Sequence, residues 1–250
     1  MALKSDTVSI RRLTPEDKAR MLQLMQEYYE AVTERQFLSD LSKKDAVILL
    51  KDRERMIQGF STLATVRVKL GGETLRAVFS GDTVIDKQYW GQRALGKAFL
   101  RYLLAEKIKS PFEPLYWLLI SKGYKTYLMM ANNFSEHYPR FERSTPDRAK
   151  LILDSFYLAL YPDRYDPQTG LIEPEGEACR LKSGVAAIPT ALLKSNPRIA
   201  FFEQSNPRWR EGAEMACVAR MTFAMPFYYA LKACDKMFSN PEEQSASVAS

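Results

Sequence analysis

Apolar and polar positions change period several times along this chain, and the changes mark its elements. Residues 8–13 alternate and predict a first strand. Thr14-Pro15-Glu16-Asp17 predicts a helix start, with an N-cap hydroxyl, proline at the first turn and acids beside the positive dipole end. Met21, Leu22, Met25, Tyr28 and Tyr29 form its stripe, which runs to about residue 32. A shorter helix over 34–42 follows, then an apolar run of strand length at 46–50. A long strand at 57–70 turns at Gly71-Gly72 into another beginning near Leu75. There Leu75, Ala77 and Phe79 alternate with Arg76, Val78 and Ser80; Gly81 weakens the middle, and Thr83, Val84 and Ile85 restore β-branched character. After a loop at 86–92 the period becomes helical, with Leu95, Ala98, Phe99, Tyr102 and Leu103 on one face.

Beyond that helix, 115–120 is a short buried strand and 124–133 a helix. Thr145-Pro146-Asp147 starts a strong helix carrying Leu151, Ile152, Phe156, Leu158 and Leu160, and loop composition follows at 161–167 and 174–176. Residues 198–203 and 213–221 read as two strands joined by a turn-rich connection, a last hairpin. An amphipathic helix is expected over 223–238 and a disordered tail over 239–250. The reading is an α/β (α+β) protein with a mixed, largely antiparallel sheet flanked by helices. It divides into a core at 1–134, a helical and loop insertion at 135–195, the final hairpin and helix of the same domain at 196–238, and the tail at 239–250.

Composition narrows the chemistry. The 250 residues are 46% hydrophobic and 26% charged, ordinary for a globular chain. No uncharged run reaches the ~20 residues of a membrane span, and the start lacks the apolar core of a secretory signal. Three widely spaced cysteines point to a reducing compartment, hence a cytoplasmic expectation, and to no disulfide framework. His137 is the single histidine, so a multi-histidine metal site is excluded and no metal is expected. It also argues against a Ser-His-Asp or Cys-His scheme, because no elbow motif lies near it; a surface or internally satisfied histidine is the expectation. The net charge of +6 is dispersed, without the basic block and interleaved aromatics of nucleic-acid binders. It suits an acidic or phosphate-bearing partner, and serves solubility equally well.

The richest stretch is strand, loop and helix over 75–108. The first amides of a helix lack internal partners and point outward with the positive end of the dipole behind them. Gly91 and Gly96 let a diphosphate approach such amides, and Arg93 and Lys97 add charge. An ordinary strand-to-helix connection with solvated cations is the competing reading. Arg93-Ala94-Leu95-Gly96-Lys97-Ala98 resembles the Arg/Gln-x-x-Gly-x-Gly/Ala signature of the GNAT superfamily of N-acyltransferases. Tyr89-Trp90-Gly91-Gln92 is similar to the aromatic-glycine run that often precedes it. The order of elements over 8–134 strengthens the likeness.

The resemblance implies acyl-CoA (coenzyme A), or the phosphopantetheine of an acyl carrier protein, as donor to an amine acceptor. It implies cofactor contacts at Val84, Ile85, Gly91, Gln92, Arg93, Ala94, Leu95, Gly96, Lys97 and Ala98. It also implies that the strand after the signature helix splays from its neighbour to admit the pantetheine arm. An ammonium cannot attack a thioester, so a base is needed, and a developing oxyanion needs a donor. Asp82 is the first candidate base and Glu203, on the expected sixth strand, the second; for Asp82 the alternative is a carboxylate satisfied by turn amides or Arg76. Tyr127, or failing that Tyr124, is the candidate acid for the leaving thiolate, against a plain core role. Aromatic and methionine content beyond residue 134 leaves room for an acyl chain longer than acetyl. A non-catalytic acyl-CoA sensor and a carrier-protein docking module are the alternative functions.

Overall fold

The computed structural model describes residues 2–174, 180–182, 184–185 and 187–225. β1 (Lys4–Ser9), β2 (Ala46–Lys51), β3 (Ile57–Leu70) and β4 (Glu73–Ile85) form an antiparallel meander. β5 (Leu115–Ser121) joins β4 in parallel, and β9 (Glu214–Met221) pairs antiparallel with β5. The short strands β6 (His137–Tyr138), β7 (Tyr165–Asp166) and β8 (Leu171–Ile172) extend the sheet: β6 and β8 pair with β9, and β7 with β8. This is the mixed, largely antiparallel, helix-flanked α/β architecture that the pattern predicts.

Alternation along the strands builds two apolar faces. On one, α3 (Ala94–Lys109), α4 (Tyr124–Ala131), α6 (Thr190–Ser195) and α7 (Pro197–Ser205) pack with Ile48, Leu63, Val78, Trp117 and Leu119. On the other, α1 (Pro15–Tyr28) and α2 (Glu34–Ser42) pack with Val47, Leu49, Phe60 and Val84. On that second face α5 (Asp147–Leu160) covers Leu75, Ala77, Phe79, Leu118 and Val218. The second face therefore carries two separate helical covers, with a groove between them.

Four expectations change. The first strand starts earlier, at Lys4, and Ile10–Arg12 is a short 3₁₀ turn, because β1 takes its register from β2, from Lys4 opposite Lys51 to Ser9 opposite Ala46. α1 stops at Tyr28 although its stripe continues. Residues 28–30 instead pair with 180–182: the Glu30 amide donates to the Arg180 carbonyl at 2.8 Å, and the Lys182 amide to the Tyr28 carbonyl at 3.0 Å. Residues 198–203 are helix α7, not strand. Asn196 Oδ1 accepts from the Arg198 and Ile199 amides, Pro197 begins the first turn, and Ile199 and Phe202, three apart, are buried.

No last hairpin forms, since β9 has β5 on one side and β6 and β8 on the other. Residues 135–195 supply those partners. The Tyr157 hydroxyl on α5, fully buried, lies 2.9 Å from the Leu119 carbonyl and 2.8 Å from that of Cys217, fastening the segment to β5 and β9. Most of the expected helix at 223–238 and the whole tail at 239–250 lie outside the described residues.

Candidate active site

β4 and β5 run together only from Arg76 opposite Leu115 to Ser80 opposite Leu119. Past that point β4 stays with β3 as far as Ile85, while β5 stays with β9 as far as Ser121, and the two separate. A bulge accompanies the split. Ser61 faces Thr83 but Leu63 faces Ser80, so Gly81 and Asp82 together oppose Thr62. The extra residue reverses the hydrogen-bonding phase: Arg76 N–H turns to the β5 side, to Pro114, whereas Asp86 N–H turns to Gln58 at the start of β3. Counting from Asp86, Val84 faces β3, and the main-chain groups of Thr83 and Ile85 face the gap. Gly81 is required there, because a Cβ would lie 2.7 Å from Thr62 Oγ1 and 3.1 Å from Lys44 Cε.

The bulge also sets which way side chains point. Phe79 and Val84 share the α1/α2/α5 face although five residues apart. Ser80 points the other way, accepting from Trp117 Nε1 at 2.9 Å. Gly81 and Asp82 thus both turn to the α2/α5 side.

On the opposite face two helices begin at the gap. α3 makes its first helical bond from the Lys97 amide to the Arg93 carbonyl at 3.0 Å, and Arg93 supplies no side-chain cap. The preceding amides of Ala94, Leu95 and Gly96 have no hydrogen-bond partner among the described residues. Gly91 holds φ +81°, in the left-handed region that favours glycine. Trp90 braces this turn, donating from Nε1 to the Ile85 carbonyl at 2.8 Å, with Lys125 Nζ 3.6 Å from its ring centroid. The side chains of Arg93 and Lys97 are exposed, and no carboxylate pairs with either among the described residues.

One cleft of about 1120 Å³ runs through the sheet and joins the two sides. Trp90, Gly91, Gln92, Leu95, Tyr124 and Lys125 line its α3/α4 end, and Asp40, Lys44, Phe79, Leu160 and Tyr161 its α2/α5 end. Gly81–Ile85 and Ile120 lie between. Among the expected cofactor contacts, Val84, Ile85, Gly91, Gln92 and Leu95 line this cleft, whereas Arg93, Ala94, Gly96, Lys97 and Ala98 do not. Ala98 is a core residue of α3.

The catalytic candidates separate. Asp82 lines the cleft; burial pushes its carboxyl above the ordinary range, and the charges of Lys44 and Lys122 partly offset this. Glu203 is elsewhere: on α7 rather than a strand, it accepts from Trp209 Nε1 at 2.6 Å and Arg210 at 2.8 Å. Tyr124, the second choice, lines the cleft, and burial raises its hydroxyl pKa. Tyr127, the first choice, is fully buried between α4 and α7, with its hydroxyl on the Pro139 carbonyl at 3.3 Å. The two tyrosines are offset by only about 60° around α4, and packing against Phe201 and Phe202 of α7 places Tyr127 in the core while Tyr124 stays at the cleft.

His137 is buried on β6 away from the cleft, its Nδ1 2.7 Å from the Phe134 carbonyl, and burial holds it neutral with a pKa lowered to about 4. Lys44, Lys122, Tyr161 and Arg164 on the cleft wall were missed. For Lys44 no local signal existed: it lies between α2 and β2, two residues before Ala46 pairs with Leu63, and only its long side chain reaches Gly81. Among the described residues no cluster of three or more metal-ligating side chains occurs, and no helix is long and apolar enough to cross a membrane.

No family model matches the chain, and none of the curated proteins does. Solved structures do. A GNAT-family N-acetyltransferase from Escherichia coli in complex with CoA is 16% identical over 54% of this chain and 70% of its own, with a TM-score of 0.38. The ribosomal-protein-S18-alanine N-acetyltransferase of the same organism is 17% identical over 55% and 83%, at 0.35. Glucosamine-6-phosphate N-acetyltransferase from Arabidopsis thaliana is 16% identical over 48% and 82%, at 0.34.

Proposed function

We propose that this protein is an N-acyltransferase that takes an acyl group from acyl-CoA and passes it to an amine. The observation that carries the reading is the cleft through the sheet, with helix amides unpartnered among the described residues at one end and a carboxylate of raised pKa at the other. The residues present fit such a donor. The Ala94, Leu95 and Gly96 amides, with exposed Arg93 and Lys97 beside them, suit a diphosphate. The gap between β4 and β5 suits an extended arm with main-chain polar groups along one wall.

When bound, the donor would supply an activated thioester carbonyl. Asp82, on the opposite side of the gap, would take a proton from the incoming ammonium, and its raised pKa brings it closer to that task than an ordinary carboxylate. Thr83 and Ile85 turn main-chain groups into the gap, where an N–H can meet developing negative charge. Tyr124, neutral at physiological pH, holds a proton for the departing sulfur. A chain longer than acetyl fits this reading, because Met25, Tyr28, Tyr29, Val32, Leu181 and Val185 line the cleft with apolar surface. A carrier-protein phosphopantetheine would use the same amides and gap.

Calorimetric titration with CoA, acetyl-CoA and a long-chain acyl-CoA tests the proposal. We expect saturable binding that weakens at least tenfold in Arg93→Glu, and a larger rise in melting temperature with the long-chain donor. Absence of CoA binding overturns the reading; equal shifts with both donors remove the long chain.

A further inference from the structure

Resting on that reading, we infer that the acceptor is an amine that also carries its own anionic group, and that Lys44 recognises the anion. The argument starts from the α2/α5 end of the cleft. Lys44 follows α2 and reaches over the bulge: its Nζ lies 5.0 Å from the Phe79 ring centroid, and its Cε 3.1 Å from the point where Gly81 would bear a Cβ. It is half-buried and lines the cleft. Among the described residues no carboxylate lies within ion-pair distance of it, although Asp82 is near enough to feel its charge.

A partly buried ammonium with no paired anion is unfavourable unless something else supplies the charge. The neighbouring cation is already committed, since Lys122 pairs with Glu214 at 3.3 Å. Asp82 and Lys44 thus present opposite charges to the same space without closing on each other. That arrangement suits a ligand with both signs: its ammonium toward Asp82, its anion toward Lys44. Phe79, Leu160 and Tyr161 provide apolar wall beside them. A neutral alkylamine would satisfy Asp82 and leave Lys44 uncompensated.

A carboxylate and a phosphate share this chemistry, and the experiment separates them. Wild type, Lys44→Met and Lys44→Arg are compared with four acceptors: phenylalanine, phenylalanine amide, O-phosphoethanolamine and ethanolamine. Methionine keeps the apolar stem over Phe79. The readouts are the ratio of kcat/KM for each anionic acceptor to its neutral counterpart, and acceptor binding measured by calorimetry without donor.

In the wild type at least one anionic acceptor should be preferred and bound more tightly. Lys44→Met should lower that preference about tenfold to a hundredfold, the range of a charge-assisted hydrogen bond, and Lys44→Arg should restore most of it. The ratio cancels any change in the strength of Asp82 as a base, which a merely structural Lys44 would alter for both acceptors alike. If CoA binds and neutral amines are acylated as well as anionic ones, this inference fails while the acyltransferase reading stands. If CoA does not bind, the acyltransferase reading itself fails.

Discussion

Replacing Asp82 by asparagine should lower activity and raise stability at the same time. The carboxyl lines the cleft, no hydrogen bond reaches its side chain among the described residues, and burial raises its pKa above 3.8 despite Lys44 and Lys122. Below pH 3.8 both folded and unfolded chains hold the proton, and the residue has no effect on stability. As pH rises through the window up to the folded midpoint, the unfolded state releases its proton first, so stability falls. Above that midpoint the loss is complete. Every pH unit by which the midpoint exceeds 3.8 is worth about 1.4 kcal/mol, and for a chain of this size 1 kcal/mol moves Tm by about 2–4 °C.

Asparagine keeps the shape without the charge. Its Tm should match wild type at pH 3 and exceed it at pH 7. Turnover, followed by release of CoA thiol in the presence of an amine, should fall about a hundredfold to ten-thousandfold, the usual contribution of a positioned base. Scanning calorimetry at the two pH values and steady-state kinetics read both effects. A lower Tm at pH 7 would show that Lys44 already satisfies the carboxylate, and turnover within threefold of wild type would refute its role as base.

Other perturbations test the frame around the cleft. Gly81→Ala should destabilise by about 1–3 kcal/mol, because the new methyl meets Thr62 Oγ1 at 2.7 Å inside a packed bulge. Gly96→Ala, where nothing lies within 4 Å, should stabilise by about 0.5–1 kcal/mol; equal denaturation midpoints for the two variants would contradict the bulge geometry. Tyr157→Phe should lose about 1–3 kcal/mol, since buried carbonyls at Leu119 and Cys217 lose the hydroxyl between them. An unchanged urea midpoint would mean that residues 135–195 do not share the stability of the sheet.

Local pattern was enough wherever an element is decided by its own residues. Thr14 caps α1 with its hydroxyl on the Asp17 amide, the second helix spans Glu34–Ser42 as its spacing predicts, and the run at 46–50 lies within β2. The helix start at residue 94 was legible for the same reason: a glycine turn and a change of period mark it. Tertiary structure decided what local pattern leaves degenerate. Ile199 and Phe202 suit a short strand or a helix equally, and the Asn196 cap with packing against α4 selects the helix. Tyr124 and Tyr127 sit on one short helix, and only its docking on the sheet turns the first to the cleft and the second to the core. Lys44 and Asp82 are 38 positions apart, so no periodicity relates them. Pairing of β2, β3 and β4 lays the chain before β2 near the β4 bulge, and the Lys44 side chain spans the remaining distance to Gly81 beside Asp82, because a ladder joins segments by register and not by distance along the chain.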